Sequence, residues 1–297
     1  MKEFDFIAPR TVEEFLPVLD QYKEKAEIVA GGTDIVLEFN ERKLNPEVVL
    51  DVKKLKELDY IRVDEDYVHI GAVTSHATIA ANEYIKENVV ILATACGNVG
   101  SPQIRNLGTI GGNIATSSVA GDGLCAVLTL DASVVLKSVE GTRVMKLSDF
   151  LNGEGYKKIN ALKANELLTE VFFEKPDKHT ATAFYKLGKR KALAISMIGG
   201  GMVVKVDDEG ICTFASLRAG ALGRYPLQLK AAEEFLVGKK LTMDTMMASL
   251  PIIHDIVYES AKTRPSVIYK KEAVQGVFHG DFQVIEDQLN KNMGGIR

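Results

Sequence analysis

Two glycine pairs constrain this chain more than any other feature of its sequence. Gly31 and Gly32 follow the apolar run Glu27-Ile28-Val29-Ala30 and lead into Thr33, Asp34 and Ile35. Gly111 and Gly112 follow Thr109 and Ile110 and lead into Asn113. Glycine reaches backbone torsions closed to other residues and lets a ligand approach the main chain. Successive backbone N–H groups in such a turn form a concavity that suits a phosphate. A threonine hydroxyl accompanies each pair. Either pair alone reads first as a tight structural turn. Two of the same design, far apart in the chain, favour a dinucleotide whose pyrophosphate is gripped from opposite sides.

Composition narrows the partners. The 297 residues suffice for two or three domains at roughly 100–150 residues each. A net charge of −4 argues against a nucleic-acid protein, which needs a basic face to neutralise phosphates. No apolar run approaches the roughly 18–20 residues of a membrane span. The N-terminal stretch Met1-Lys2-Glu3-Phe4-Asp5 carries acids and lacks a signal-like apolar segment, so a cytoplasmic location is expected. Cys96, Cys125 and Cys212 are dispersed and odd in number, which argues against a disulfide framework or a four-cysteine cluster in this chain. Single buried thiols are expected instead. His69, His76, His179, His254 and His279 show no metal-ligand spacing and are expected in surface or core roles.

The pattern of elements is α+β, with short strands and no long βαβ series. Thr11 with Glu14 marks a helix start, and the periodic run continues through Leu19. Strands are expected at 27–30 and 48–51, with 60–63 and 67–70 as a hairpin around Asp64-Glu65-Asp66. Residues 35–38 suit either strand or helix. Helices are expected at 55–58, 75–85 and 89–97, then an irregular loop through Gly97, Gly100, Pro102 and Gly108 into the second glycine turn. A short helix at 123–130 and a strand at 133–139 follow. Composition turns polar near Lys175-Pro176-Asp177, where a domain boundary is expected. Beyond it come strands around 184–187, 202–206 and 211–217, the last two joined at Asp207-Asp208-Glu209-Gly210. Helices at 229–236, 243–250, 252–262 and 268–277 close the chain. Gly121-Asp122-Gly123-Leu124-Cys125-Ala126 also fits the Gly-x-Gly-x-x-Gly/Ala fingerprint. That fingerprint needs a strand in front, and Thr116-Ser117-Ser118 is polar, so a Rossmann domain is disfavoured.

The ordered set of motifs carries a resemblance. Val29-Ala30-Gly31-Gly32-Thr33-Asp34, then Arg105-Asn106-Leu107-Gly108-Thr109-Ile110-Gly111-Gly112-Asn113, then Asp122 and Leu130-Asp131-Ala132, resemble the FAD-binding medium subunits of the molybdenum hydroxylases, the xanthine dehydrogenase and carbon monoxide dehydrogenase family. Phe184-Tyr185-Lys186-Leu187-Gly188-Lys189-Arg190 followed by Ala194-Ile195-Ser196 is similar to that family's C-terminal flavin domain. The resemblance covers essentially the whole chain. It implies a PCMH-type FAD-binding fold of two lobes, 1–55 and 56–175, and a C-terminal α+β domain, 176–297, with a three-stranded sheet and helices. FAD is then expected between the lobes, with its isoalloxazine reaching toward the third domain.

By this resemblance Val29, Ala30, Gly31, Gly32, Thr33, Asp34 and Ile35 meet the pyrophosphate. Thr109, Ile110, Gly111, Gly112 and Asn113 hold its other side. Ser118 and Asp122 contact the ribose and adenine side. Lys186 sits near the isoalloxazine with Tyr185 close by, and Leu167 and Leu168 line the pocket. Plainer readings stand beside these. Asp122 also suits a helix cap, Tyr185 a core position, and Lys186, Lys189, Arg190 and Lys191 a solvated basic patch. Positive charge near a flavin stabilises its reduced anion, which favours the functional reading of Lys186. Where single-chain members carry acids after the basic stretch, this chain has Ala192-Leu193-Ala194, so acid-dependent tuning near that loop is not expected.

The resemblance further implies partners: a small [2Fe–2S] subunit, a large molybdopterin subunit and NAD(P)+ or another electron acceptor. No catalytic acid or base is expected on this chain. The dispersed cysteines disfavour the benzoyl-CoA-reductase branch, whose flavin subunit holds a cluster. Thr116–Gly123, Gly223-Arg224-Tyr225-Pro226 and Arg264-Pro265-Ser266-Val267 most resemble the anaerobic nicotinate-hydroxylating branch. A purine or xanthine dehydrogenase subunit is the alternative within the family, and a nucleotide-binding scaffold without redox output the alternative outside it.

Overall fold

The computed structural model describes residues 3–190 and 193–293. They form two compact units. The first comprises the chain up to Thr78 with Ser101–Ser117 and Asp131–Lys175. The second comprises Ile79–Gly100, Ser118–Leu130 and the chain from Pro176 onward. The stretch 56–175 is therefore shared: two of its segments pack with the C-terminal part.

In the first unit, β1 (Asp5–Ile7), β2 (Ala26–Val29) and β3 (Val48–Asp51) form a parallel sheet in the order β1-β3-β2. Parallel strands need crossovers: helix Val12–Tyr22 lies in the one from β1 to β2, and helix Ile35–Asn40 in the one from β2 to its neighbour β3. Thr11 caps this helix by accepting from Glu14 N–H, and Glu14 reaches back to Arg10 N–H rather than to the cap itself. Val12, Phe15 and Leu19 form its buried stripe. Full burial of Phe15 and Leu19 contributes roughly 1.5–3 kcal/mol each. They join Val48, Leu50 and Leu55 in one core cluster.

A second sheet in this unit is antiparallel. It contains β4 (Ile61–Val63), β5 (Tyr67–Gly71), β6 (Ser133–Ser138), β7 (Gly141–Lys146) and β8 (Leu167–Glu174), ordered β4-β5-β8-β6-β7. The expected hairpin at 60–70 is β4–β5. Two strands were not expected. One is β7, the return partner of β6. The other is β8, the middle strand, whose run Leu-Leu-Thr-Glu-Val-Phe-Phe-Glu is buried at Leu167, Leu168, Thr169, Val171 and Phe173. Leu167, Thr169, Val171 and Phe173 form its buried face, but Leu168 and Phe172 on the other face are apolar too, which masks the alternation that marks a half-exposed strand.

The second unit has β9 (Thr180–Gly188), β10 (Ser196–Val206), β11 (Cys212–Gly220) and β12 (Leu227–Gln228) in an antiparallel sheet ordered β12-β11-β10-β9. The resemblance implied three strands. Three long ones are present, and the two-residue β12 extends the edge beside β11. The β10–β11 hairpin turns at Gly210, whose φ of 78° favours glycine. Gly199, Gly200 and Gly201 lie mid-sheet, and helices cover both faces. A Cβ on Gly201 would stand 2.5 Å from Thr129 Oγ1, whereas one on Gly200 would stand 2.5 Å from Asp281 and Val277. The strand is thus glycine because helix Asp122–Thr129 and helix Val267–Met293 press on it from opposite sides.

The other departures have local causes. The helix expected at 75–85 breaks at Asn82, whose side chain caps Glu83–Asn88 by accepting from Ile85 N–H. The expected loop at 97–108 contains helix Pro102–Leu107, with Ser101 as its cap and Pro102 in its first turn. Residues 35–38 resolve as helix Ile35–Asn40. The last helix does not stop at Val277 but runs from Val267 to Met293. Val274, Phe278, Phe282, Ile285 and Leu289 bury one face of it, and Gly280 makes room for the Tyr185 ring instead of ending the helix.

Asp281 is fully buried on this helix, and neither carboxyl oxygen has a hydrogen-bond partner among the described residues. Burial holds its carboxyl well above the usual range. A carboxyl raised in the fold binds its proton more tightly there, so stability falls as pH rises from the ordinary aspartate range of about 4 toward the folded value. Asp281→Asn removes that dependence. Urea midpoints of the two proteins should diverge in favour of Asn between about pH 4 and 8. A constant difference across that window would count against a buried neutral acid.

Candidate functional site

The first glycine turn begins where β2 ends. Gly32 adopts a φ of 73°, which a β-carbon disfavours. Gly31 is needed for another reason: a Cβ there would overlap the backbone carbonyl of Leu107. A Cβ on Gly108 would stand 3.5 Å from Thr33 Oγ1, in ordinary van der Waals contact. The two glycine segments are thus neighbours in the first unit. Among the described residues, no group accepts from the N–H of Gly31, Gly32 or Thr33. All three residues are half-buried. A turn with free N–H groups that are only partly open to water is suited to an anion.

The second segment does not repeat that design. It is the first turn of helix Ile110–Thr116, and Thr109 is the cap. Its backbone donors are already spent. Ile110 N–H donates to Thr74 O, Gly111 N–H to Ala72 O, Gly112 N–H to Thr109 Oγ1 and Asn113 N–H to Thr109 O. Gly111 serves packing, since a Cβ there would stand 2.6 Å from Ala72. The expectation of two equivalent phosphate turns is therefore corrected. One turn offers backbone donors, and the other offers the Thr109 hydroxyl proton and the open face of Gly112.

Both segments line one recessed cavity of about 200 Å³ in the first unit. Ala30, Asp34 and Ile35 come from the first turn, Thr109, Gly111 and Gly112 from the second, and Leu167 and Leu168 from β8. Val29, Gly31, Gly32, Thr33, Ile110 and Asn113 belong to the same two segments but are not among the lining residues. Apolar walls with a few polar groups are the usual make-up of a ligand site, and the volume holds a portion of a dinucleotide. The turn and the cavity together fit FAD.

One wall was not expected from sequence. Tyr156, Lys157 and Asn160 come from the loop 153–166, which has no periodicity to reveal it. Gly155 folds against the Leu162 carbonyl. Arg143 anchors the loop through two bonds to Glu166, of 2.7 and 2.8 Å, and one to Ala161 O. Burial pushes the Glu166 carboxyl up, but Arg143 and the Lys163 N–H outweigh it and leave it below the usual range.

The remaining expected residues lie in the second unit. Asp122 is 5% exposed and opens helix Asp122–Thr129. It makes no cap; the cap is Gly121, which offers no side chain. Its Oδ2 instead meets Lys186 Nζ at 2.7 Å, and its Oδ1 accepts from Ser196. Lys186 also donates to Asn98 O at 2.8 Å. Burial raises the Asp122 carboxyl, and the Lys186 charge opposes that rise. Lys186 is thus no part of a solvated patch, although Lys189 and Arg190 are exposed. Lys191 and Ala192 lie outside the described residues. Ser118 accepts from Ala120 N–H in the turn before Asp122. Tyr185 is 47% exposed rather than core, and its ring rests on Gly280.

Each cysteine is a buried thiol outside any disulfide, and burial raises all three, Cys125 to about 12 and Cys212 to about 11. His76 is buried and pulled down to about 4. Among the described residues, no group of three or more His, Cys, Asp or Glu is placed to hold a metal. No described helix is long and apolar enough to cross a membrane.

Residues 2–175 match the family model for the FAD binding domain in molybdopterin dehydrogenase, and residues 183–282 match the CO dehydrogenase flavoprotein C-terminal domain. This chain belongs to the family of FAD-binding subunits of the molybdopterin dehydrogenases. As a member it has a PCMH-type fold, binds FAD and serves a multi-subunit molybdenum-dependent oxidoreductase. It is 61% identical to the nicotinate dehydrogenase FAD-subunit of Eubacterium barkeri, over 97% of this chain and 98% of that one. It is 28% identical to the xanthine dehydrogenase FAD-binding subunit of Escherichia coli O157:H7, over 80% and 81%. Among solved structures it matches carbon monoxide dehydrogenase from Hydrogenophaga pseudoflava lacking the Mo-pyranopterin moiety, with a TM-score of 0.86, 25% identity, and coverage of 97% and 98%.

Two substitutions test this geometry. Gly31→Ala forces a Cβ into backbone and should cost about 1–3 kcal/mol in urea unfolding; an unchanged midpoint would refute the close approach. Asp122→Asn strands the Lys186 charge and should cost roughly 3 kcal/mol. Adding Lys186→Met should recover much of that loss, and simple additivity in the double-mutant cycle would show the pair to be uncoupled.

Proposed function

We propose that this chain is the electron-transfer subunit of a dehydrogenase that hydroxylates an N-heteroaromatic acid such as nicotinate. An identity of 61% to a nicotinate dehydrogenase FAD-subunit, over 97% of this chain, carries this reading. In it, substrate is oxidised at a molybdopterin centre on a large partner. Electrons leave through [2Fe–2S] clusters on a small partner and reach the FAD of this chain. Bound FAD supplies the exchange between one-electron clusters and a two-electron acceptor such as NAD(P)+. A cytoplasmic location, where that acceptor is available, belongs to the same reading. The buried, separate thiols of this chain support clusters housed on another subunit.

The residues divide the work. Gly31, Gly32 and Thr33 present backbone N–H groups to the pyrophosphate, with Val29 and Ala30 leading the strand to it and Asp34 and Ile35 leading away. Thr109 donates its hydroxyl from the other side, Gly112 permits close approach, and Ile110, Gly111 and Asn113 fix that helix turn in place. Leu167 and Leu168 wall off water. Lys186 brings positive charge to the isoalloxazine, beside Tyr185. Because the Asp122 carboxylate already holds Lys186 and Ser196, we assign it to positioning that charge rather than to the sugar. Ser118 keeps its own proton to donate. Lobes 1–55 and 56–175 then serve the dinucleotide, and 176–297 the flavin end.

The test has two stages. Purified alone, the chain should be yellow or take up added FAD; a colourless protein that binds no flavin would sink the reading in favour of a non-redox scaffold. Co-expressed with its small and large partners, it should support nicotinate-dependent reduction of NAD(P)+. Turnover of xanthine but not nicotinate would transfer the chain to the purine-oxidising branch.

A further inference from the structure

The cavity of the first unit has a polar corner. Glu27 on β2 and Lys157 from the loop 153–166 both line it, with Lys157 Nζ 2.6 Å from Glu27 Oε2. Tyr156 completes the corner, its ring centroid 5.4 Å from Nζ. Glu27 is only 9% exposed. A carboxylate so placed is costly unless its oxygens are engaged. Yet only Oε2 is: among the described residues Oε1 has no hydrogen-bond partner. An ammonium has three donors. One serves Glu27, which leaves two. The corner therefore offers an acceptor and a donor side by side, against the apolar walls of Ile28, Val52, Leu162 and Leu167.

We propose that Glu27 and Lys157 read the adenine base of FAD. Glu27 Oε1 accepts from the exocyclic amine, and Lys157 Nζ donates to the adjacent ring nitrogen. This rests on the proposed placement of the pyrophosphate at the first glycine turn, whose Ala30 and Asp34 open onto the same cavity. From the pyrophosphate, FAD extends toward a flavin at one end and an adenosine at the other. The flavin must be approached by an electron donor and an acceptor. The adenosine takes part in no chemistry and suits a recessed apolar cavity. A flat ring carrying one amine and neighbouring nitrogens matches both the walls and the corner.

The experiment strips flavin from the full chain and titrates it by flavin fluorescence. Three ligands are compared: FAD, FMN, and the hypoxanthine analogue of FAD, in which a carbonyl replaces the exocyclic amine. The unmodified chain should bind FAD about tenfold or more tightly than the analogue, the usual scale for one lost buried hydrogen bond. Glu27→Gln, which gains an N–H donor for that carbonyl, should narrow or reverse the preference. Lys157→Met should weaken FAD about tenfold and leave FMN unchanged. Equal affinity of the unmodified chain for FAD and its analogue would overturn the proposal while leaving FAD binding intact. Equal losses of FAD and FMN in both variants would also overturn it, by showing a merely structural pair. Failure of the unmodified chain to bind any flavin would instead overturn the functional reading beneath it.

Discussion

The Cα of Gly31 lies against the carbonyl of Leu107 with no space for a side chain. That contact joins the strand-to-helix turn after β2 to the segment that caps helix Ile110–Thr116. Without it the two glycine segments would be separate turns on separate sheets. With it, Ala30, Asp34 and Ile35 from the first turn and Thr109, Gly111 and Gly112 from the second line one cavity. The cavity and its polar corner follow from this approach, because β2 carries both the turn and Glu27.

The second unit obeys a similar constraint. Gly199, Gly200 and Gly201 let helices approach the two faces of one sheet at near-backbone distance. Interiors are packed to crystal density, so the loss of side chains from a strand is the room that a helix occupies. One of those helices begins at Asp122, and that position carries the carboxylate to Lys186 on β9. A buried ion pair is weak evidence for stability. It does fix a charge in one place.

The two glycine pairs were legible in the sequence, but their equivalence was not. Periodicity cannot distinguish a turn that keeps its N–H groups free from one that spends them, because the acceptors for Ile110 and Gly111 are carbonyls of residues 74 and 72. Asp122 and Lys186 were both singled out, yet nothing between them in the chain marks them as partners. The wall formed by Tyr156, Lys157 and Asn160 left no trace, since an irregular loop anchored by Arg143 and Glu166 has no repeating pattern. The central strand β8 is hidden for another reason: apolar Leu168 and Phe172 stand on the face opposite Leu167, Val171 and Phe173, so the sequence does not alternate.

What the sequence alone determined is chemical. It carried a glycine turn after an apolar strand, dispersed cysteines, an ordered set of motifs belonging to one flavoprotein family, and an α+β succession of elements. Each of these depends on neighbours within a few residues or on the order of segments. Only the tertiary structure decided which donors remain free, which carboxylate meets which ammonium, and which loop closes the cavity. Those outcomes depend on close approaches between residues far apart in the chain. The glycine turn was visible from the start, and the Leu107 carbonyl that makes Gly31 indispensable appears only once the chain is folded.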